Sequence, residues 1–100
     1  MIKLSKKKNI KTSVIIPCYR CSNTIERAVK SVVDQSYKPY EVILIEDFSN
    51  DENKTINKLK ELKVFYKNQI KIILINNSCN KGPGFSRNIG WEEAKGTYVA

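Results

Sequence analysis

Two rhythms of hydrophobic and polar positions alternate along the chain. Residues 12–17, TSVIIP, form a short β-branched apolar run that stops at a proline, which predicts a buried strand. Ile25, Ala28, Val29, Val32 and Val33 then recur at helical spacing, one stripe of an amphipathic helix. Asn23 with Glu26 three positions later resembles a capping box, which sets the helix start near Thr24; SYKP ends it near Gln35. Residues 40–47, YEVILIED, are apolar almost without interruption, as expected of a strand covered on both faces. After the turn-rich FSNDEN, Ile56, Leu59, Leu62 and Tyr66 space out a second helix with lysines on its outer side. Residues 69–76, QIKIILIN, predict a third strand, and NSCNKGPG a loop with glycines around Pro83. A third helix fits from Phe85 through Ile89 to Lys95, closed by Gly96 at the C′ position, and TYVA begins a fourth strand.

This strict alternation, β-α-β-α-β-α-β, predicts an α/β fold of Rossmann-like kind: a parallel sheet, right-handed crossovers and helices on both faces. Ligands of such sheets bind beyond the carboxyl ends of the strands, where the strand order reverses. The loops to inspect are therefore 17–23, 46–51 and 77–84. At 100 residues the chain is one domain or part of one, divided into a basic flexible tail, 1–11, and a domain, 12–100.

Hydrophobic residues make up 41% and charged residues 28%, values that exclude wholesale disorder. The formal charge is +8, but Lys3, Lys6, Lys7, Lys8 and Lys11 all lie in the tail and leave +3 for the remainder. That distribution argues against a nucleic-acid partner, which would need a basic face on the body. Two readings of the tail stay open: a solvated, frayed terminus, or a segment that seeks anionic lipid at a membrane surface. No apolar run reaches the roughly 20 residues that span a bilayer, and the first residues lack the apolar core of a secretory signal, so a cytoplasmic location is expected.

Three cysteines and no histidine argue against both a disulfide framework and a four-ligand zinc site. Cys18 and Cys21 form a C-x-x-C pair at a strand-to-helix junction, where a helix N-terminus lowers a thiol pKa, so a thiol oxidoreductase is one alternative. The first loop, PCYRCSN, has no glycine, which excludes the dinucleotide fingerprint, and the spacing in GPGFSRNIG is not that of a Walker loop. Residue chemistry still allows a nucleotide. Tyr19 at a strand end can stack on a base, and Asp47 can accept a hydrogen bond from a ring N–H. Loop packing and a turn aspartate are the plainer accounts of the same residues. Gly82 and Gly84 permit close backbone approach next to a helix N-terminus that favours anions. Arg87 early in that helix calls for a negative partner, either a diphosphate or an acid such as Asp47 or Asp51. Trp91 at helical spacing points to core or interface.

The stretch from Ser13 to Asp51 resembles the opening of the family 2 glycosyltransferases, through Pro17, Tyr19, Ser31, Val32, Gln35, Asp47, Ser49 and Asp51 in order. Gly82, Arg87, Asn88 and Gly90 resemble the family's Gly-x-x-x-x-Arg-Asn-x-Gly segment, and the likeness covers residues 13–100. Departures fall at Cys18, where a hydroxyl residue is common, Arg20 for asparagine, Glu46 for aspartate, and Phe48 where a small residue is typical. The resemblance implies the N-terminal, nucleotide-sugar-binding half of a GT-A domain, with Pro17, Cys18, Tyr19, Asp47, Ser49, Gly82 and Arg87 around the nucleotide. It implies inverting transfer from a nucleotide sugar, UDP-linked, to a glycan or lipid-linked acceptor in polysaccharide synthesis at the inner membrane face. It also implies an Asp-x-Asp motif holding Mn²⁺ or Mg²⁺ and a general base, both expected beyond Ala100. On that expectation this chain alone binds no metal, transfers no sugar, and through an exposed sheet edge either self-associates or is marginally stable. A non-catalytic nucleotide-binding module is the other alternative.

Overall fold

The computed structural model describes residues 12–94 and 98–99. The chain runs β1 (Thr12–Cys18), α1 (Ile25–Val33), β2 (Glu41–Glu46), α2 (Lys54–Phe65), β3 (Lys71–Asn76), α3 (Pro83–Glu93) and β4 (Tyr98–Val99). All four strands are parallel, in the order β3-β2-β1-β4. The order reverses at β1, because β2 and β3 are laid down on one side of it and β4 on the other. The basic tail, the Gly96 cap and Ala100 lie outside the described residues.

Strand alternation divides the apolar positions between two cores. Val14, Ile16 and Cys18 with Val42, Leu44, Ile72 and Leu74 face α1 and α2, meeting Ile25, Val29, Val33, Leu59, Leu62 and Tyr66. Ile15, Ile43, Ile45, Ile73 and Ile75 form the smaller core on the α3 side. Every residue of β2 is buried, which explains why that strand reads as a continuous apolar run.

Register levels the carboxyl ends: Cys18 lies beside Glu46 and Glu46 beside Asn76. The ladder then continues one rung further, since Asp47 N–H donates to Cys18 O at 2.8 Å and Asn77 N–H to Glu46 O at 2.8 Å. Tyr19, Asp47 and Asn77 are thereby placed at one level just past the sheet.

Four local expectations are corrected. The Asn23–Glu26 capping box does not form: Thr24 precedes α1 without a side-chain cap, and Glu26 pairs with Lys58 Nζ of α2 at 2.6 Å. A contact between helices has taken the carboxylate from local duty. Helix α1 also stops at Val33, short of Gln35. Gln69 and Ile70 turn their N–H groups back to Tyr66 O at 2.9 and 3.0 Å, so they finish the turn after α2 and β3 begins at Lys71. Helix α3 starts at Pro83, where a missing N–H is harmless, and ends at Glu93 with Ala94 extended.

The face α3 buries is the largest surprise. It consists of Ser86 and Gly90, whereas Phe85 and Trp91 are 45% and 66% exposed, which removes Trp91 from the core. A Cβ on Gly90 would lie 2.5 Å from Ile15 Cγ2 and 2.9 Å from Ile45 Cδ1, so the helix rests directly on β-branched side chains of β1 and β2. Gly90→Ala should therefore destabilise the protein by about 1–3 kcal/mol despite alanine's better helix propensity. Gly84→Ala, where no atom lies within 4 Å of the added carbon, should be neutral or stabilising by up to about 1 kcal/mol. Urea unfolding of both variants checks the contrast.

Candidate functional site: a cleft at the strand ends

The first wall comes from the end of β1. Tyr19 steps out of the strand with half of its surface exposed, and Arg20 follows in a left-handed conformation, φ 49°. That turn aims Arg20 back at the second loop: its N–H donates to Ser49 Oγ at 2.8 Å and its Nε–H to Ser49 O at 3.0 Å. The guanidinium also sits 5.5 Å from the Tyr19 ring centroid. Ser49 is itself buried, with its N–H donating to Glu46 Oε1 at 2.9 Å and its hydroxyl bonded to the same oxygen. It ties two loops together and does not line the cleft.

The second wall is Asp47, only 2% exposed. Its Oδ1 accepts from Asn77 Nδ2 at 2.9 Å and Lys81 N–H at 2.8 Å, and its Oδ2 from Gly82 N–H at 2.8 Å. Asn80 Nδ2 donates to the Asp47 carbonyl at 3.3 Å. Burial by itself pushes this carboxyl up, but the Asn77, Lys81 and Gly82 donors and the nearby Lys81 charge together hold it below its ordinary value. Gly82 delivers its N–H from φ 85°, a region that favours glycine. Asn77 also donates to Ser86 Oγ at 3.1 Å, which ties the end of β3 to α3. Asn77 and Asn80 escaped the sequence reading; the available signal was the polar pair that ends the apolar run LIN.

Between these walls lies a cleft of about 480 Å³. Of the residues expected around a nucleotide, Pro17, Cys18, Tyr19, Asp47 and Gly82 line this cleft, joined by Asn80 and Pro83. Arg87 is exposed and outside the lining. Neither proposed acidic partner is turned toward Arg87. Asp47 serves the third loop, and Asp51 accepts from Thr55 Oγ1 at 2.6 Å and Thr55 N–H at 3.3 Å at the start of α2.

Cys18 and Cys21 are both free thiols. Contact with Cys21, then burial and the Glu46 charge, push the Cys18 thiol up, while the hydrogen bond from Cys18 holds Cys21 below its ordinary value. The thiol that faces the cleft, Cys18, is thus held in its neutral form. Among the described residues no three His, Cys, Asp or Glu side chains converge to hold a metal ion. No helix among them is long and apolar enough to cross a membrane.

A parallel sheet with this cleft at its switch point is the architecture of an open α/β fold, in which ligands bind beyond the carboxyl ends of the strands. The family profile described as Glycosyl transferase family 2 matches residues 13–100, and the chain belongs to that family. The Escherichia coli UDP-Glc:alpha-D-GlcNAc-diphosphoundecaprenol beta-1,3-glucosyltransferase WfaP is 38% identical over 89 residues, which cover 88% of this chain and 32% of that relative. The mannosyltransferase PcManGT from Pyrobaculum calidifontis, solved with GDP-Man and Mn²⁺, superimposes with a TM-score of 0.80 at 21% identity over 91% of this chain and 26% of its own. GalNAc-T7, solved with UDP, GalNAc and Mn²⁺, gives a TM-score of 0.72 at 27% identity over 90% of this chain and 17% of its own. The fold is that of the GT-A glycosyltransferases, and the chain spans about a third of the curated relative's length.

A depressed carboxyl contributes stability that is fully present above its unfolded value of about 3.9 and is lost as pH falls through the lower folded value. Asp47→Asn turns an amide toward N–H donors, and should destabilise by about 1–3 kcal/mol near neutrality. The variant should also lose less stability than the parent on acidification. Urea midpoints measured from about pH 7 down to about pH 3 test both statements.

Proposed function

We propose that the cleft binds the nucleotide of a sugar donor, a uridine diphosphate sugar, and that the chain is the donor-binding part of a glycosyltransferase. One observation carries the reading: an exposed aromatic ring, Tyr19, and a buried carboxylate, Asp47, face the same cleft from adjacent strands. The ring offers a stacking face to a flat base. A carboxylate has about four lone-pair sites, and the hydrogen bonds from Asn77, Lys81 and Gly82 leave room for one more donor at the cleft. Uracil carries an imino N–H to supply it, as guanine does, whereas adenine and cytosine can offer only an exocyclic amino group. The donor named for the E. coli relative, UDP-Glc, and the UDP in GalNAc-T7 support the same choice.

The diphosphate belongs at the start of α3, where Pro83 lines the cleft and the helix dipole favours anionic oxygens. Arg87, four residues on and so on the same helix face, adds positive charge there. Ser49 serves by holding the Tyr19 loop against the Asp47 loop. The described residues do not fit the Mn²⁺ or Mg²⁺ of the full enzyme, because Asp47 already meets three N–H donors and no second carboxylate joins it. What the chain's own residues do is bind and orient the donor. Inverting attack by an acceptor hydroxyl, with a base to take its proton, is assigned to residues other than these 100. The acceptor is a glycan or lipid-linked saccharide at the cytoplasmic membrane face, as the relative's diphosphoundecaprenol acceptor suggests, and the sheet edges favour self-association.

Calorimetric titration of the chain with UDP, ADP and CDP should show UDP as the tightest ligand. Tyr19→Ala should weaken UDP by about 1–3 kcal/mol. UDP binding that is unchanged in Tyr19→Ala, or equal for the three nucleotides, rejects the reading. Incubated alone with UDP-glucose and a saccharide acceptor, the chain should release no UDP above the uncatalysed background.

A further inference from the structure

A second cleft, of about 400 Å³, opens at the carboxyl ends of β2 and β3 beside the start of α2. Phe48, Asn50, Asn53 and Asn76 line it, with the buried Glu46 and Asn77 on the sheet side. Asn77 is the residue that donates to Asp47, so this hydrogen-bonded pair stands between the second cleft and the nucleotide cleft. The two sites share a wall and no described lining residue.

The loop that supplies Phe48, Asn50 and Asn53 holds all three in the left-handed region, at φ 53°, 50° and 65°. Asparagine tolerates that conformation; a bulky aromatic residue does so at a cost. Phe48 recovers little of the cost through burial, since its side chain remains 45% exposed. Backbone preference and core packing therefore both argue for a smaller residue at this position, and the aromatic ring stands at the mouth of a cleft instead. Strain of this sort is a pointer to function when the strained group faces something it can bind.

The lining chemistry says what that is. Each asparagine amide both donates and accepts, as sugar hydroxyls do, and an aromatic face suits the C–H face of a pyranose ring. No lysine or arginine is among the described lining residues, and their one charged side chain is the carboxylate of Glu46, so a phosphate would be repelled. We propose that this second cleft is a saccharide subsite for a neutral pyranoside, with Phe48 as its platform and Asn50, Asn53 and Asn76 as its polar edge. It takes a glycan distinct from the donor's own sugar, and it does not depend on the nucleotide reading.

The test is a ¹H–¹⁵N NMR titration of the full chain with methyl β-glucopyranoside and with the methyl glycoside of N-acetylglucosamine, and separately with UDP. Saturable shifts with a dissociation constant on the order of millimolar are expected at the side-chain amides of Asn50, Asn53 and Asn76 and the backbone at Phe48. UDP should shift a different set around Tyr19, and the two responses should add. Phe48→Gly and Phe48→Asn both suit a positive φ; each should keep the amide dispersion and the UDP response while weakening the pyranoside roughly tenfold. Absence of saturable shifts with either glycoside overturns the proposal. So do shifts that survive both substitutions or that map to the Tyr19 cleft. A chain that binds the glycoside at these residues but ignores UDP supports the subsite and rejects the nucleotide reading.

Discussion

The carboxylate of Asp47 is the point on which the third loop depends. It stands one residue past β2, out of water, and takes N–H donors from Asn77, Lys81 and Gly82. A buried charge without such partners would cost several kcal/mol, so the acid and the third loop require each other. Through Asn77 the same group reaches Ser86 and hence α3, whose seat is set independently by the side-chain-free contact of Gly90 with Ile15 and Ile45. The position of the helix start that lines the cleft is thus set from two directions, by a polar network at its amino end and by steric contact one turn from its carboxyl end.

A parallel network ties the first loop to the second. Arg20 grips Ser49 through backbone and side chain, and Ser49 in turn bonds the buried Glu46. Left-handed residues cluster on this side of the sheet, with Arg20, Phe48, Asn50, Glu52 and Asn53 all at positive φ. Polar bonds and unusual backbone are found together because tight loops at a strand end must reverse direction in few residues, and side chains satisfy the groups that regular structure would have paired.

The architecture was legible in the sequence because it is written in periodicity. The unbroken run of β2 reports burial on two faces, and the Ile25-to-Val33 stripe reports one. Of the cleft, the residues at strand ends were legible, since Pro17, Cys18 and Tyr19 follow directly from where β1 stops. What escaped were the side chains whose partners are distant in sequence. Glu26 looked like a local cap and instead pairs across to Lys58. Asn77 and Asn80 looked like turn residues and instead hold Asp47 from thirty and more positions away. Helix α3 was misread for a related reason: hydrophobic spacing finds large buried residues, whereas this helix is seated through Ser86 and Gly90.

The two N–H groups that carry the parallel ladder one rung past the strands, those of Asp47 and Asn77, have a thermodynamic consequence for any ligand. Segments that are floppy before association must surrender conformational entropy when they close around a guest, and affinity falls accordingly. Here the rim is an extension of the sheet lattice, ordered when the chain folds. A guest entering from solvent meets a rim that is already preorganised.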